Sequence, residues 1–306
     1  MNQLFCIGAF AALASSSQAA LTTGLIAYYN FDQSGTAGIT NQVGGGATHN
    51  GSYGSGTTFG VTPAAGTGAG FSGSSSYAGS ESANSTDRSD LLVGNALNVA
   101  KNDASSTAGS GWFNVSSLNS TALGGNFSIS AWFMLAPDAD NTGTSSDILR
   151  DYVFEGGNNF DASFGTNAAA GSTFVSWVGE GASTSTSSLT TGQWHNVVHT
   201  FTQNGSNTEL RVFIDGSQVG TTITAPTANM NLSSLNFGAA RNGIRVFDGM
   251  LDEIAVWDRA LTADEINGPD PDSVYQRGLS GLPVPEPSSA LIGGIGLLAL
   301  LRRRRN

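Results

Sequence analysis

The chain is short of the residues on which most intracellular catalysis relies. Its one cysteine, Cys6, lies in an apolar run at the N-terminus, so a processed chain carries no thiol. That excludes disulfides, thiolate-bound zinc and a cysteine nucleophile. Histidine occurs three times, and Lys plus Arg together 12 times, four of these in Arg302–Arg305. No basic stripe exists to neutralise phosphates, which argues against nucleic-acid binding. The glycine tracts lack the Lys-Ser/Thr and the following helix of a phosphate-binding loop. Charged residues make up only 11% of the chain, so the charged helix formers Lys, Arg and Glu are scarce.

What is abundant is glycine, 41 residues in 306, with serine and threonine filling much of the rest. Such a composition favours strands, turns and loops. The length suits one large β domain or two small ones, with enough chain to bury a substantial core. Tracts such as Gly54–Gly60 and Gly66–Ser76 hold too little apolar content to pack by themselves and read as loops. The formal charge is −11, and without Arg302–Arg305 only eight basic residues face 22 or 23 acids. Acidity of this kind keeps a protein soluble. Binding of multivalent cations is the functional alternative, for which scattered acids are weak support.

Both ends carry processing features. Leu4–Ala14 is a short apolar run, broken at Ser15–Gln18, and Ser17-Gln18-Ala19 places small residues where a signal peptidase cuts. Residues 1–20 therefore read as a signal peptide, cut after Ala19 or Ala20, although Met1-Asn2-Gln3 lacks the usual Lys or Arg. At the other end Pro285-Glu286-Pro287 precedes the apolar stretch Ser288–Leu301, then Arg302, Arg303, Arg304 and Arg305. The apolar stretch is short against the ~20 residues of a full span, and the arginines would hold its end on the cytoplasmic side. Pro-Glu-Pro, a short apolar helix and a terminal arginine cluster, in that order, resemble the PEP-CTERM sorting signal, here 285–306. A plain membrane anchor is the alternative. The resemblance implies recognition by an exosortase, transient tethering in the inner membrane, cleavage near Glu286, and release to the cell envelope or an extracellular polysaccharide matrix.

Between the ends, several segments alternate with the period of a strand. Phe127, Ile129, Ala131 and Phe133 share one face of Phe127–Phe133. In Trp194–Phe201, His195, Val197, His199 and Phe201 oppose Trp194, Asn196, Val198 and Thr200. Leu210, Val212 and Ile214 share a face before Asp215-Gly216, a turn signal. Leu25–Phe31 and Leu251–Trp257 are more continuously apolar, as strands covered on both sides are. Thr262 and Glu265 fit a capping box opening one short helix, which Gly268-Pro269 stops. Residues 268–284 then read as a linker. Many strands separated by Gly-, Asn- and Ser-rich turns make an all-β sandwich or barrel the expected fold.

The run Phe247–Ile266 resembles the end of a LamG-like jellyroll of the concanavalin A-like lectin/glucanase superfamily. Gly24–Asp32, Gly94–Leu97, Phe127–Phe133, Gly192–His195 and Val212–Gly216 match further pieces in order. The resemblance covers about 21–267 as one domain, with a Gly/Ser-rich insertion at about 33–90 where the family uses less chain, and implies an all-β, two-sheet antiparallel jellyroll sandwich followed by a short helical sorting tail.

Candidate chemistry is sparse. His195 and His199 have the spacing of a zinc motif, but on a strand four residues span about 13 Å, too far for one ion. His49 sits in a glycine-rich loop without a visible partner. Alternation puts Asp252 on one strand face with Met250, Ile254 and Val256, where a carboxylate needs pairing. The resemblance implies a structural calcium there, with Asp32 at the end of the first strand as second contributor; pairing of Asp252 with an arginine, or a turn cap, is the alternative. The alternating acids of the family's glucanases are absent, and Asp252 and Glu253 should fall on opposite faces. No catalytic residue is assigned and no enzymatic activity is expected. Of five tryptophans, Trp112, Trp132, Trp177, Trp194 and Trp257, only Trp177 is a weak candidate for ligand contact. The expected protein is an exported, exosortase-sorted adhesion module that binds carbohydrate or another matrix component. A structural matrix protein without a ligand, or less readily a glycan hydrolase, is the alternative.

Overall fold

The computed structural model describes residues 21–31, 40–45, 48–53, 96–101, 109–118, 125–135, 151–157, 160–164, 173–178, 182–189, 194–226, 235–269, 272–278 and 282. Two antiparallel sheets are built from strands β1 (Leu25–Tyr29), β2 (Ser52–Tyr53), β3 (Leu97–Lys101), β4 (Gly109–Ser110), β5 (Phe113–Val115), β6 (Phe127–Leu135), β7 (Asp151–Gly156), β8 (Phe160–Phe164), β9 (Thr173–Val178), β10 (Ala182–Ser188), β11 (Trp194–Asn204), β12 (Asn207–Ile214), β13 (Ser217–Pro226), β14 (Leu235–Phe237) and β15 (Gly249–Trp257). Two short helices follow, α1 (Ala263–Asn267) and α2 (Val274–Arg277). The all-β sandwich expected from the sequence is the fold observed.

The 8-stranded sheet runs β13-β12-β11-β6-β15-β3-β4, with β1 also paired to β15. One edge of β15 lies along β6; the other is shared by β3, at Gly249–Leu251, and β1, at Ile254–Trp257. The 7-stranded sheet runs β10-β9-β8-β7-β14-β5-β2.

The main core lies between the sheets. Phe127, Ile129, Ala131 and Phe133 of β6 meet Phe113, Phe154, Phe160 and Phe237 from the other sheet. Each buried aromatic or aliphatic side chain contributes roughly 1.5–3 kcal/mol of transfer free energy. Phe127 stacks on Phe201 at 4.1 Å between centroids, and Phe113 on Phe237 at 5.0 Å. His199 is also in this core, and its Nε2 meets Ser176 Oγ of the opposite sheet at 2.7 Å.

The outer face of the eight-stranded sheet is apolar as well. Trp257, Tyr28, Val198 and Phe213 are covered by Leu21, Leu261, Ile266 and Val274, while Trp132, Trp194, Met134 and Met250 pack with Tyr275. This is why β6 and β15 are buried along their whole length. It also corrects the reading of 268–284 as a linker. Val274 and Tyr275 of α2 are buried on this face, and the Tyr275 ring stacks on Trp132 at 5.8 Å and 8°. An exposed apolar sheet face needs a cover, and the chain after Gly268 supplies part of it.

Local signals hold at the turns. Asp215 (φ 49) and Gly216 (φ 73) close the β12–β13 hairpin with Ile214 opposite Ser217. A side chain at Gly216 would strike Asn267 of α1. Thr262 and Glu265 form the expected reciprocal cap on α1.

Candidate functional site

The seven-stranded sheet carries a polar row on the face turned away from the core. Its members are cross-strand partners: Ser52 opposite Asn114, Asn114 opposite Asn236, Asn236 opposite Glu155, and Glu155 opposite Asp161; the backbone register continues from Asp161 to Trp177 and on to Ser183. The orientation follows from alternation. Phe113 and Val115 flank Asn114, Leu235 and Phe237 flank Asn236, and Phe160 and Ala162 flank Asp161; all six are core residues. From Asn114 to Asp161 the row crosses four strands, about 14 Å at ~4.8 Å per strand.

The row is recessed: Asn236, Glu155 and Asp161 are 3%, 3% and 2% exposed. Glu155 accepts from the backbone N–H of Arg241 and, at 2.7 Å, from Arg241 Nη1. Burial pushes the Glu155 carboxyl above its usual range, and the Arg241 contacts pull against that shift without cancelling it. Asp161 accepts from Ser163 Oγ at 2.9 Å. Asn114 Nδ2 donates to Asn236 Oδ1 at 2.8 Å, which leaves Asn236 Nδ2 buried with no acceptor among the described residues. Such an orphan costs about 1–3 kcal/mol unless something fills it. On the same face the Arg245 guanidinium lies 5.3 Å from the Tyr152 ring centre and donates to its hydroxyl at 2.6 Å. The arrangement presents amide donors and carboxylate acceptors in a line, which suits a ligand rich in hydroxyl groups.

The residues singled out in the sequence fall elsewhere. Asp252 is fully buried, but alternation misplaced it. The register of β15 shifts between Asp252 and Ala255, and Glu253 takes a left-handed φ of 48. Across this bulge the phase inverts: Leu251, Ile254 and Val256 face the core, while Met250, Ala255 and Trp257 face outward. Asp252 stands opposite Trp132 and so shares the outward side with Met250, not with Ile254 and Val256. Glu253 lies on that side too, where Tyr28 Oη donates to its Oε2; the two acids are not on opposite faces. Asp252 Oδ1 accepts from the Glu253 N–H at 2.8 Å.

For the implied calcium, two buried carboxylates at one bulge fit a hard cation in kind. Among the described residues no group of three His, Cys, Asp or Glu able to hold a metal occurs. Asp32 lies outside the described residues, as do the signal peptide, most of the 33–90 insertion, and Pro285, Glu286, Pro287 and Arg302–Arg305. Trp177 falls at the row position next to Asp161 by backbone register.

The histidines are structural in their contacts. His195 Nδ1 meets Asp215 Oδ2 at 2.8 Å, and Asp215 Oδ1 accepts from the Asn196 N–H, so the pair pins the β12–β13 turn to β11. Burial lowers the pKa of His199 to about 3. His49 does have partners: its ring nitrogen Nδ1 meets Ser117 Oγ at 3.0 Å, and its carbonyl accepts from Tyr29 Oη. Trp112, Trp132, Trp194 and Trp257 are buried.

Glu155 and Asp161 were missed, although a signal existed. Gly157-Asn158-Asn159 is a turn sequence, and Phe160, Ala162 and Phe164 alternate with Asp161 and Ser163. A hairpin centred on that turn places Glu155 opposite Asp161.

The fold is a two-sheet antiparallel β sandwich with a polar outer row. The model of the concanavalin A-like lectin/glucanases superfamily matches residues 107–267, and the chain belongs to that superfamily. The PEP-CTERM protein-sorting motif matches residues 283–305. No curated protein matches the chain in sequence. Among solved structures it is similar to domain 4 of AbnA, a GH43 extracellular arabinanase from Geobacillus stearothermophilus solved with arabinotriose, at 15% identity and TM-score 0.47, over 84% of this chain and 99% of that one. It is similar also to the botulinum neurotoxin type G receptor binding domain, at 13% identity and TM-score 0.47, over 80% of this chain and 50% of that one. A SAP-like pentraxin from Limulus polyphemus aligns at 16% identity and TM-score 0.36, over 52% and 75%. The sorting motif supports export through membrane sorting to the envelope.

Proposed function

We propose that this chain is an envelope or matrix module that binds carbohydrate in the recessed row Asn114–Asn236–Glu155–Asp161, with Trp177 next in register. The observation that carries this reading is the buried, unmatched Nδ2 of Asn236 in the middle of that row. A saccharide hydroxyl supplies the missing acceptor, and a second hydroxyl further along the row donates to Asp161. No catalytic step belongs to the proposal. Glu155 and Asp161 do form a facing carboxylate pair, but both oxygens of Glu155 are engaged by Arg241, which opposes a role in glycoside hydrolysis. A structural calcium at Asp252 remains part of the proposal, supported by the buried carboxylates at the β15 bulge. Exosortase would cut near Glu286 and release the domain from transient inner-membrane tethering.

A glycan array with the mature domain tests the site, with Asn236→Ala and Asp161→Asn alongside. Saturable binding that falls at least tenfold in both variants is the expected result. Saturable binding untouched by either variant moves the site elsewhere. Absence of binding across all polysaccharides leaves a structural matrix protein, and release of reducing ends makes it a hydrolase.

A further inference from the structure

The chain leading to the sorting motif is fastened to the domain. Leu282 is partly buried against the outward cluster of Leu25, Tyr28, Trp257 and Val274. Its backbone N–H donates to Tyr28 Oη at 3.1 Å, and the same hydroxyl donates to the buried carboxylate of Glu253. Tyr28 thus joins the β15 bulge to the point where the chain leaves the sheet. Burial, and after it the charge of Glu253, hold the Tyr28 hydroxyl protonated, so it keeps both roles, donor to Glu253 and acceptor from Leu282. Upstream, α2 is held by the Tyr275–Trp132 stack, by Gln276 Nε2 on Asn267 Oδ1 at 2.8 Å, and by Arg277 Nη1 on Asp272 Oδ1 at 2.8 Å.

This fastening sets a reach. An extended chain spans at most ~3.3–3.6 Å per residue. Glu286 is four residues beyond Leu282, so it lies within about 14 Å of the point of attachment. The apolar stretch opens at Ser288, within about 21 Å. The headgroup layer itself takes roughly 5–7 Å on each side of a bilayer. With Leu282 in place, the folded sandwich stands over its own cutting site, and a membrane-embedded enzyme must work in that narrow gap. Releasing the chain back to Arg277 more than doubles the reach, to about 31 Å.

We propose that the docked residues 272–278 and Leu282 are a latch on the sorting signal, and that the release of Leu282 sets the rate of processing. The proposal rests on the reading that the signal is cut near Glu286. The Leu282 contacts, one hydrogen bond and a half-buried leucine, correspond to about 1.4 kcal/mol or somewhat more, a restraint of about tenfold.

The test is a pulse-chase of the full chain in its native host, following loss of the Arg302–Arg305 end by mass. Leu282→Pro removes the N–H and the leucine side chain. A second variant inserts eight Gly/Ser residues between Leu282 and Pro283, which lengthens the reach and leaves the docked residues intact. Both are expected to be cut about tenfold faster than the unaltered chain. Equal or slower cutting of the insertion variant overturns the latch. An unaltered chain that keeps Arg302–Arg305 indefinitely, with or without exosortase, overturns the sorting reading itself, and is distinguished from failure of the latch by that fact.

Discussion

Glu155 and Asp161 face each other across neighbouring antiparallel strands, on the side of the sheet away from the aromatic core. Arg241 holds Glu155 through two of its donors, with the Arg241 side chain 43% exposed against 4% for Glu155. Removing the guanidinium as Arg241→Ala leaves a buried carboxylate, and is expected to cost about 1–3 kcal/mol, less than a fully buried pair because water reaches the arginine side. The folded-state pKa of Glu155 is raised, so its contribution is present below the carboxylate's unfolded value and is lost as pH rises through the folded one. The variant's deficit should therefore be larger at pH 7 than at pH 4. Melting temperatures of the two proteins at both values check this, and a deficit independent of pH refutes it.

His199 works in the opposite direction. Its folded pKa is about 3, lowered by burial between the sheets. A depressed histidine favours the folded state fully above its unfolded value near 6.5, and that stability is lost as pH falls from there towards 3. At about 1.4 kcal/mol per pH unit the loss amounts to several kcal/mol at most. The wild type should lose stability more steeply than His199→Gln across that range in denaturant titrations. Parallel curves would mean that other groups carry the acid lability.

Val274 and Tyr275, after Gly268, pack on the domain, and truncation should show their contribution. Tyr275 is 8% exposed and stacked on Trp132. Tyr275→Ala should cost roughly 2–4 kcal/mol, in the range of large-to-small changes in packed sites. A chain ending at residue 271 should melt well below one ending at 284. Equal melting temperatures would restore the linker reading.

Calcium has a direct check. Melting of the mature domain with calcium and with a chelator should differ by several degrees if Asp252 helps hold an ion. Asp252→Asn should abolish the difference. Identical melts in both buffers remove the ion from the account.

Much of this fold was legible because the sheet face of each strand is written with period two. β6, β11 and β12 follow that pattern, and the Asp215-Gly216 turn and the Thr262–Glu265 cap are local chemistry. β15 defeated it at a single residue. One left-handed backbone angle at Glu253 shifts the phase, and nothing in an apolar run announces where a bulge will fall. The row was hidden for a different reason. Its members come from β5, β14, β7 and β8, and no local signal states that Asn114 and Asn236 will stand beside each other. Only the Glu155–Asp161 hairpin was within reach of local reasoning.

Leu21 and Leu282 pack into one cluster, and the Leu21 carbonyl accepts from Trp257 Nε1 at 2.8 Å. Both ends of the folded body therefore emerge on the same side, the outer surface of the eight-stranded sheet. The row of Asn236 and Glu155 lies on the far side of the other sheet. The molecule has a back and a front. A chain held at Leu282 is held on its back, with both sheets between that point and the row.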